Sequence, residues 1–324
     1  MLLETVFVAG NVAAFLHYSL ICILIIFTII GVSIAPSRAC KAAIIESNIQ
    51  PAAYGDIKTT LLLGTAMIET MAVIGGLTAL LMSRQAAHSI TIYTALAEIG
   101  IILAVCIAGL TFGLSCTLPI GAACAAIARQ PLLASKITRY MLFSLCILVT
   151  PLLLSSIIAL IICYQAPNAT TLPEALRLIG AGTSIGLSSI GPIRGLSILA
   201  QSGCHAFASN KNAYQQIMNN TMISQAIIET PIILAFVISI FILFTLATTI
   251  EGSIGLCSAA LCIGLGTLGS AINSSYIASY VCKSLAKDPT SENRVPRFGM
   301  LYQFFIEACA IYSFIISLLL IWYH

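Results

Sequence analysis

Long apolar stretches occupy most of this chain and limit the folds open to it. Eight can be drawn between short polar connections, at about 8–35, 57–82, 91–127, 137–163, 175–208, 217–247, 252–286 and 299–322. A helix needs roughly 20 apolar residues to cross a bilayer. Lipid offers no hydrogen bonds to the backbone, so a spanning segment must satisfy its own polar groups as a helix. We therefore predict an all-α membrane protein with eight transmembrane helices.

The composition and the distribution of charge fit this prediction. Of the 324 residues, 59% are hydrophobic and 8% are charged, with a mean hydropathy of +1.05, which excludes an ordinary soluble domain. Most Lys and Arg residues cluster at alternate connections. Basic loops tend to face the cytoplasm, so we expect these connections there and both termini outside. The twelve cysteines lie mostly inside the apolar stretches, where helix packing is favoured over disulfides or metal binding.

Three of the apolar stretches each contain an isolated glutamate, at Glu69, Glu229 and Glu307. The first two are 160 residues apart and the last two are 78 apart, and Val149 lies midway between the first two. This spacing predicts four repeats of about 80 residues, one of which has lost its acid. The predicted repeats are 1–85, 86–165 (with Val149), 166–248 and 249–324.

The acids at matching repeat positions are the candidate functional groups. A charged residue at the centre of a bilayer costs about 2.5–3.5 kcal/mol even on insertion scales, so an intramembrane carboxylate indicates function. Recurrence in three repeats weakens the alternative of a purely structural hydrogen-bonding residue. Glu98 has no repeat counterpart, and we expect it to be a surface carboxylate at the membrane interface.

Each repeat is predicted to be a helical hairpin. Two spans per repeat give every copy the same orientation, which fits a ring and argues against a transporter built from inverted repeats. The first helix of each hairpin is rich in small residues, as in the run from Gly180 to Gly195, whereas the second is bulkier. Small residues let membrane helices approach closely, so we expect an inner ring of thin helices inside an outer ring.

The loops inside the hairpins share one pattern. In three of the four, a polar residue is followed by proline, which suits the first turn of a helix. These loops contain Gln50-Pro51, Arg129-Gln130-Pro131 and Lys287-Asp288-Pro289, whereas the third repeat has Ser209-Asn210-Lys211.

Together these features resemble the c-subunits of the F-type ATP synthases. Arg129-Gln130-Pro131 is the loop motif of that family, and the glycine run Gly191–Gly195 and the acid twenty residues after the loop also match. The ordinary family member is a single hairpin, so this chain resembles four fused copies. It departs from the pattern at Val149 and at Arg194, a charged residue inside the glycine run.

The resemblance implies a function and a set of partners. The chain would form a rotor ring with copies of itself and carry ions on Glu69, Glu229 and Glu307 past an essential Arg of the stator's a-subunit. The loop residues would contact the gamma and epsilon subunits of the central stalk, and the ring would lie in a bacterial inner membrane or its organellar equivalent. It implies no nucleotide site, cofactor, metal or nucleic acid on this chain.

Neighbouring polar groups are predicted to support the ion sites. These groups are Thr65, Thr70, Gln225, the Ile227 carbonyl, Thr230, Gln303 and Tyr312. Pro231 lacks an N–H, which frees the Ile227 carbonyl one turn earlier. Sodium-binding relatives carry a Gln thirteen residues before the loop Arg, and here those positions are Pro36, Cys116, Leu196 and Ser274. The resemblance therefore favours protons over sodium.

Other functions stay open at the level of sequence. A proteolipid ring of a V-type or archaeal-type ATPase is a close alternative, because fused hairpins occur there, although the Arg-Gln-Pro loop favours the F-type. An eight-span secondary transporter and a passive structural pore are further alternatives. A transporter would need a substrate site with broken helices and inverted halves, and the sequence indicates neither. A passive pore would not need three isolated acids at one depth.

Overall fold

The computed structural model describes residues 2–84, 90–246 and 248–323, with side chains from Asn11 onward. Within these ranges the chain is almost wholly α-helical. The helices are α1 (Leu2–Ile49), α2 (Tyr54–Ile68), α3 (Thr70–Ser83), α4 (Ile92–Arg129), α5 (Ala134–Gln165), α6 (Leu172–Ser209), α7 (Tyr214–Phe244), α8 (Ile250–Lys287) and α9 (Val295–Trp322). The predicted all-α fold is confirmed.

Short 3₁₀ turns join the helices of each pair at one end of the molecule. These turns are Pro51–Ala53, Pro131–Leu133, Lys211–Ala213 and Pro289–Asn293. Three begin with proline, whose missing N–H would have had no partner at that position. The third turn has the same form without proline, because the Asn210 side chain accepts a hydrogen bond from the backbone N–H of Asn212 at 3.0 Å.

The helices pack as two layers. The first helices α1, α4, α6 and α8 pack side by side in chain order, and each also packs on its own hairpin partner. The partners, namely α2 with α3, then α5, α7 and α9, form a second layer and contact one another more sparsely. This arrangement matches the predicted row of thin helices backed by bulkier ones.

Glycine makes the close approach between first-layer helices possible. A Cβ added at Gly182 of α6 would lie 1.9 Å from the Gly100 carbonyl oxygen of α4, and one at Gly100 would lie 2.4 Å from the Leu178 oxygen. Backbone atoms cannot move aside as a flexible side chain can. Without a strong hydrophobic drive between helices in lipid, such backbone contact is the main source of packing energy.

Seven helical segments are long and apolar enough to cross a membrane. They are Asn11–Ile49, Pro51–Ser83, Ile92–Arg129, Pro131–Asn168, Lys211–Phe244, Ile250–Lys287 and Val295–Trp322. The remaining long helix, α6, has 38 residues like α4 and α8, but it is rich in Gly and Ser and includes Arg194. Since α4 and α8 flank α6 and the second layer backs it, α6 needs less lipid-compatible surface than its neighbours.

Candidate ion-binding site

The three predicted acids all lie in the second layer. Glu229 is in α7 and is half-buried, Glu307 is in α9 and is only 6% exposed, and Glu69 is exposed at the junction of α2 and α3. Val149 occupies the corresponding place in α5 and is buried, with 9% exposure. The layer therefore presents acid, valine, acid and acid on successive second helices.

Hydrogen bonds between neighbouring second helices show that these helices are in register. Gln225 Nε2 donates to Ser144 Oγ at 2.8 Å, and Gln303 Nε2 donates to Ser224 Oγ at 3.2 Å. The two pairs span 81 and 79 residues, close to one repeat length. Equivalent residues on α5, α7 and α9 consequently lie at one level along the helix axes.

The carboxyl of Glu229 contacts the preceding hairpin. Its Oε1 atom is hydrogen-bonded to the Thr150 hydroxyl, which also donates to the Ile147 carbonyl oxygen at 2.8 Å. Pro151 follows in α5 and has no N–H to offer that carbonyl. Thr150 thus links the acid of one hairpin to the carbonyl freed by proline in the hairpin that lacks an acid.

Glu307 has a different environment. Among the described residues its two carboxyl oxygens have no hydrogen bond of normal geometry, and the Ser274 hydroxyl of α8, which also lacks such a partner, lies beside them. Thr230 takes the place that Thr150 takes beside Glu229, but its hydroxyl donates back to the Ala226 carbonyl at 3.3 Å. The acids therefore differ in their contacts although their positions in the repeat match.

Most of the predicted supporting groups do not contact a carboxylate in this structure. The amide N–H groups of Gln225 and Gln303 hold the register between helices, while their oxygens are buried without a partner among the described residues. The Thr65 hydroxyl donates to the Leu61 carbonyl of its own helix, and the Thr70 hydroxyl, at the start of α3, donates to the Met67 carbonyl of α2. Tyr312 is 67% exposed on α9.

Pro231 interrupts the backbone hydrogen bonding of α7 next to Glu229. Pro231 lies inside the continuous helix α7, where it offers no N–H to the Ile227 carbonyl one turn earlier. The side chain of Ile227 is buried. The carbonyl is thereby left for another donor, as the Ile147 carbonyl is in α5.

The expectation that Glu98 lies at the surface is wrong. Glu98 is fully buried, and both its carboxyl oxygens lie 2.8 Å from Nδ1 of His17, which is fully buried as well. The 48-residue helix α1 is far longer than a bilayer requires and covers α4 at this level. The sequence contained an indication of this pair, because His17 and Glu98 are 81 residues apart, which is about one repeat length.

The predicted loop residues form the polar end of the hairpins. Arg129, Lys287 and Asp288 are exposed, whereas Gln50, Pro51, Gln130, Pro131 and Pro289 lie in or next to the turns. The Thr290 hydroxyl and backbone N–H both donate to Asp288, and these bonds hold the pKa of its carboxyl below the usual value. Arg194 is exposed on α6.

Comparison with known proteins identifies the family. The family model of the ATP synthase C subunit matches residues 179–242 and 257–320, which fall within α6 to α9. The ATP synthase c-subunit of Dehalococcoides mccartyi is 35% identical over 71 residues, which make up 22% of this chain and 93% of that protein. The corresponding protein of Rickettsia bellii is 33% identical over 60 residues, or 18% of this chain and 81% of that protein.

A longer relative comes from an archaeon. The K-subunit of the A-type ATP synthase of Methanocaldococcus jannaschii is 29% identical over 149 residues, or 46% of this chain, and the match covers 63% of that relative's length. With its apolar helices the present chain is an integral membrane protein. It belongs to the ATP synthase c-subunit family.

Proposed function

We propose that this chain is a rotor-ring component of a rotary ATP synthase and carries protons on Glu69, Glu229 and Glu307. Membership of the c-subunit family supports the general assignment. The observation that carries the specific proposal is the contact between Glu229 and Thr150. This contact gives the carboxyl of Glu229 a hydroxyl partner on the preceding hairpin.

Counting hydroxyl protons supports a proton as the bound ion. The Thr150 hydroxyl has one proton to donate and can accept through its lone pairs. If that proton goes to the Ile147 carbonyl, the bond to Glu229 needs a proton from the carboxyl. An ionised Glu229 would compete with the Ile147 carbonyl for the same proton and leave one acceptor without a partner, which is unfavourable to the extent that the site is shielded from water.

Rotation would follow because each carboxyl alternates between contact with lipid and contact with the stator. A carboxyl facing lipid is stable only when neutral, whereas the Arg of the stator's a-subunit would stabilise the ionised form. Each acid would thus bind a proton on one side of the stator and release it on the other. The four proposed repeats, 1–85, 86–165, 166–248 and 249–324, would pass the stator in turn, with three protons per chain.

The polar loops are proposed to face the cytoplasm and to contact the gamma and epsilon subunits of the central stalk. Arg129 and Lys287 are exposed at this end, and basic loops favour the cytoplasmic side. Several copies of the chain would close the ring. Glu69 in particular is exposed here and would gain a neighbour only from another copy.

The second candidate is a proteolipid ring of an archaeal-type or V-type ATPase. Similarity to the archaeal K-subunit over 149 residues, close to the length of two hairpins, favours it. The Arg129-Gln130-Pro131 loop favours the F-type instead. Both candidates share the ring and the carboxyl carriers, so they differ in the partner complex and not in the chemistry of this chain.

Replacing Glu229 tests the carrier role. We expect Glu229→Gln to abolish ATP-driven proton pumping in membrane vesicles that contain the complete complex, because an amide of equal size cannot exchange a proton and, with Val149 before it, two successive hairpins would then lack a carrier. The ring should still assemble. Glu251→Gln is the control, since Glu251 is an exposed carboxylate in the first turn of α8. Normal pumping by the Glu229 variant would contradict the proposal.

A further inference from the structure

A basic cavity opens between the loop-side ends of α6 and α8, away from the three acids. Its volume is about 460 Å³, and its polar lining consists of His205, Ser209, Tyr280, Lys283, Ser284 and Lys287. No lining residue is an Asp or a Glu. A cavity with two lysines, two serine hydroxyls and a histidine offers donors to a ligand that is rich in acceptors.

The two lysines of the cavity have no direct ionic partner among the described residues. Neither Lys283 nor Lys287 forms an ion pair with a described residue, and Arg129 of α4 lies near enough to His205 to act on it electrostatically, as does Lys283. Basic residues commonly offset the dipole at a helix C-terminus, and this accounts for Lys287 in the last turn of α8. It does not account for Lys283, which lies one turn earlier with its Nζ 5.2 Å from the Tyr280 ring centroid.

The inner edge of the cavity, at Lys283, reaches the depth of lipid headgroups, and its outer edge, at Lys287, lies on the water side of them. Lys283 precedes Asp288 by five residues and Glu229 follows Asn210 by nineteen. At 1.5 Å per residue Lys283 is about 21 Å from the level of the acids along the axis, and Lys287, one residue before Asp288, is about 27 Å from it. If the acids lie at mid-membrane, as the proposed function requires, headgroups begin at about 15 Å from them and end at about 20–22 Å.

A row of unburied polar residues on one face of α6, called the stripe below, leads to the same cavity. Arg194, Gln201 and His205 recur at intervals of seven and four residues, so they share one helix face, and none of the three is buried. These residues add one further cation, Arg194, and no acid. The charge of the stripe therefore has the same sign as the cavity's.

We propose that this cavity binds a phosphate-bearing anion, with Lys283, Lys287 and His205 as its ligands. At this depth the phosphate would come from the headgroup of an anionic lipid, although a free phosphate ion has the same chemistry. The position relative to the headgroups depends on the proposed function, whereas the binding chemistry depends only on the cavity.

Native mass spectrometry of the detergent-purified protein tests the proposal with phosphatidylglycerol as the probe. A single lysine near an anionic headgroup is expected to change affinity about fivefold. We therefore expect Lys283→Gln and Lys287→Gln each to weaken binding about fivefold and the double variant about 25-fold. Lys136→Gln is the matched control, because Lys136 is also exposed and also lies 5.2 Å from a tyrosine ring, that of Tyr214, but outside the cavity.

Binding measurements with other probes identify the anion. Binding of inorganic phosphate with the same dependence on the two lysines would support the site and assign it to free phosphate, and binding of the lipid alone would assign it to a headgroup. Equal binding by the wild type and the double variant, or equal binding of zwitterionic phosphatidylcholine, would overturn the proposal. So would a synthetic acidic peptide that binds more tightly than the lipid, since it would assign the cavity to a protein partner. Glu229→Gln should bind the lipid normally, so failure of the carrier proposal is distinguishable from failure of this one.

Discussion

Restoring the missing acid with Val149→Glu should add a fourth proton carrier to each chain. Val149 is buried in α5 at the level of the other acids. Glu229 lies 79 residues after its hydroxyl partner Thr150, and the same separation places Thr70 beside position 149. The Thr70 hydroxyl already donates to the Met67 carbonyl at 2.8 Å, as Thr150 does to Ile147. A new carboxyl would thus meet a site of the same design.

The expected size of the effect follows from the charge count. Each proton that crosses about 100 mV delivers about 2.3 kcal/mol, so one chain delivers roughly 7 kcal/mol with three acids and roughly 9 kcal/mol with four. The number of protons per ATP should rise by about one third. Burying a neutral carboxyl costs about 1–3 kcal/mol when it has no partner, and a hydrogen bond with Thr70 would offset about 1 kcal/mol of this.

The assay is the ATP to ADP ratio that reconstituted complexes sustain at a fixed proton-motive force. Val149→Gln serves as the control, because it introduces a polar side chain of similar size that cannot carry a proton. Combining Val149→Glu with Thr70→Val should lower the gain by removing the hydroxyl partner. An unmutated chain that already moves four protons would refute the reasoning, as would an assembled Val149→Glu ring with an unchanged ratio.

Two further substitutions test the packing and the site. Gly182→Ala should destabilise the contact between α4 and α6 by about 1–3 kcal/mol or more, because its Cβ would lie 1.9 Å from the Gly100 carbonyl oxygen. The thermal unfolding midpoint in detergent should fall. Gly76→Ala, whose Cβ meets no atom within 4 Å inside α3, should not lower the midpoint and can raise it through the higher helix propensity of Ala. Thr150→Val should slow proton pumping by removing the hydroxyl partner of Glu229, and Thr150→Ser should restore it; equal pumping by both variants would show that the hydroxyl is not used.

The sequence was sufficient to predict the helices and the level of the acids. Spans are set by apolar length, and the repeat length fixes which residues are equivalent, so Glu229 and Glu307 could be matched without coordinates. The turn at Asn210 was less evident, because an Asn side chain replaces the proline there and the sequence pattern depended on proline.

The contacts between helices could not be predicted in the same way. Whether Gln225 turns to its own acid or to Ser144 depends on how closely α5 and α7 approach, which the packing of whole side chains determines. The buried pair of His17 and Glu98 was missed because each residue alone resembles an interfacial polar group. Helix α6 likewise owes its lower apolar content to protein neighbours that composition does not reveal.

Mass spectrometry after carbodiimide labelling tests most directly whether the three acids at equivalent repeat positions carry the protons. The reagent attacks protonated carboxyls in apolar surroundings, and Glu98 is sealed by its contacts with His17. At low pH we predict at most three adducts per chain, mapped to Glu69, Glu229 and Glu307, with pumping lost as they form and labelling declining as pH rises. Preferential modification of Glu98, or pumping that survives complete labelling of the three acids, would contradict the account.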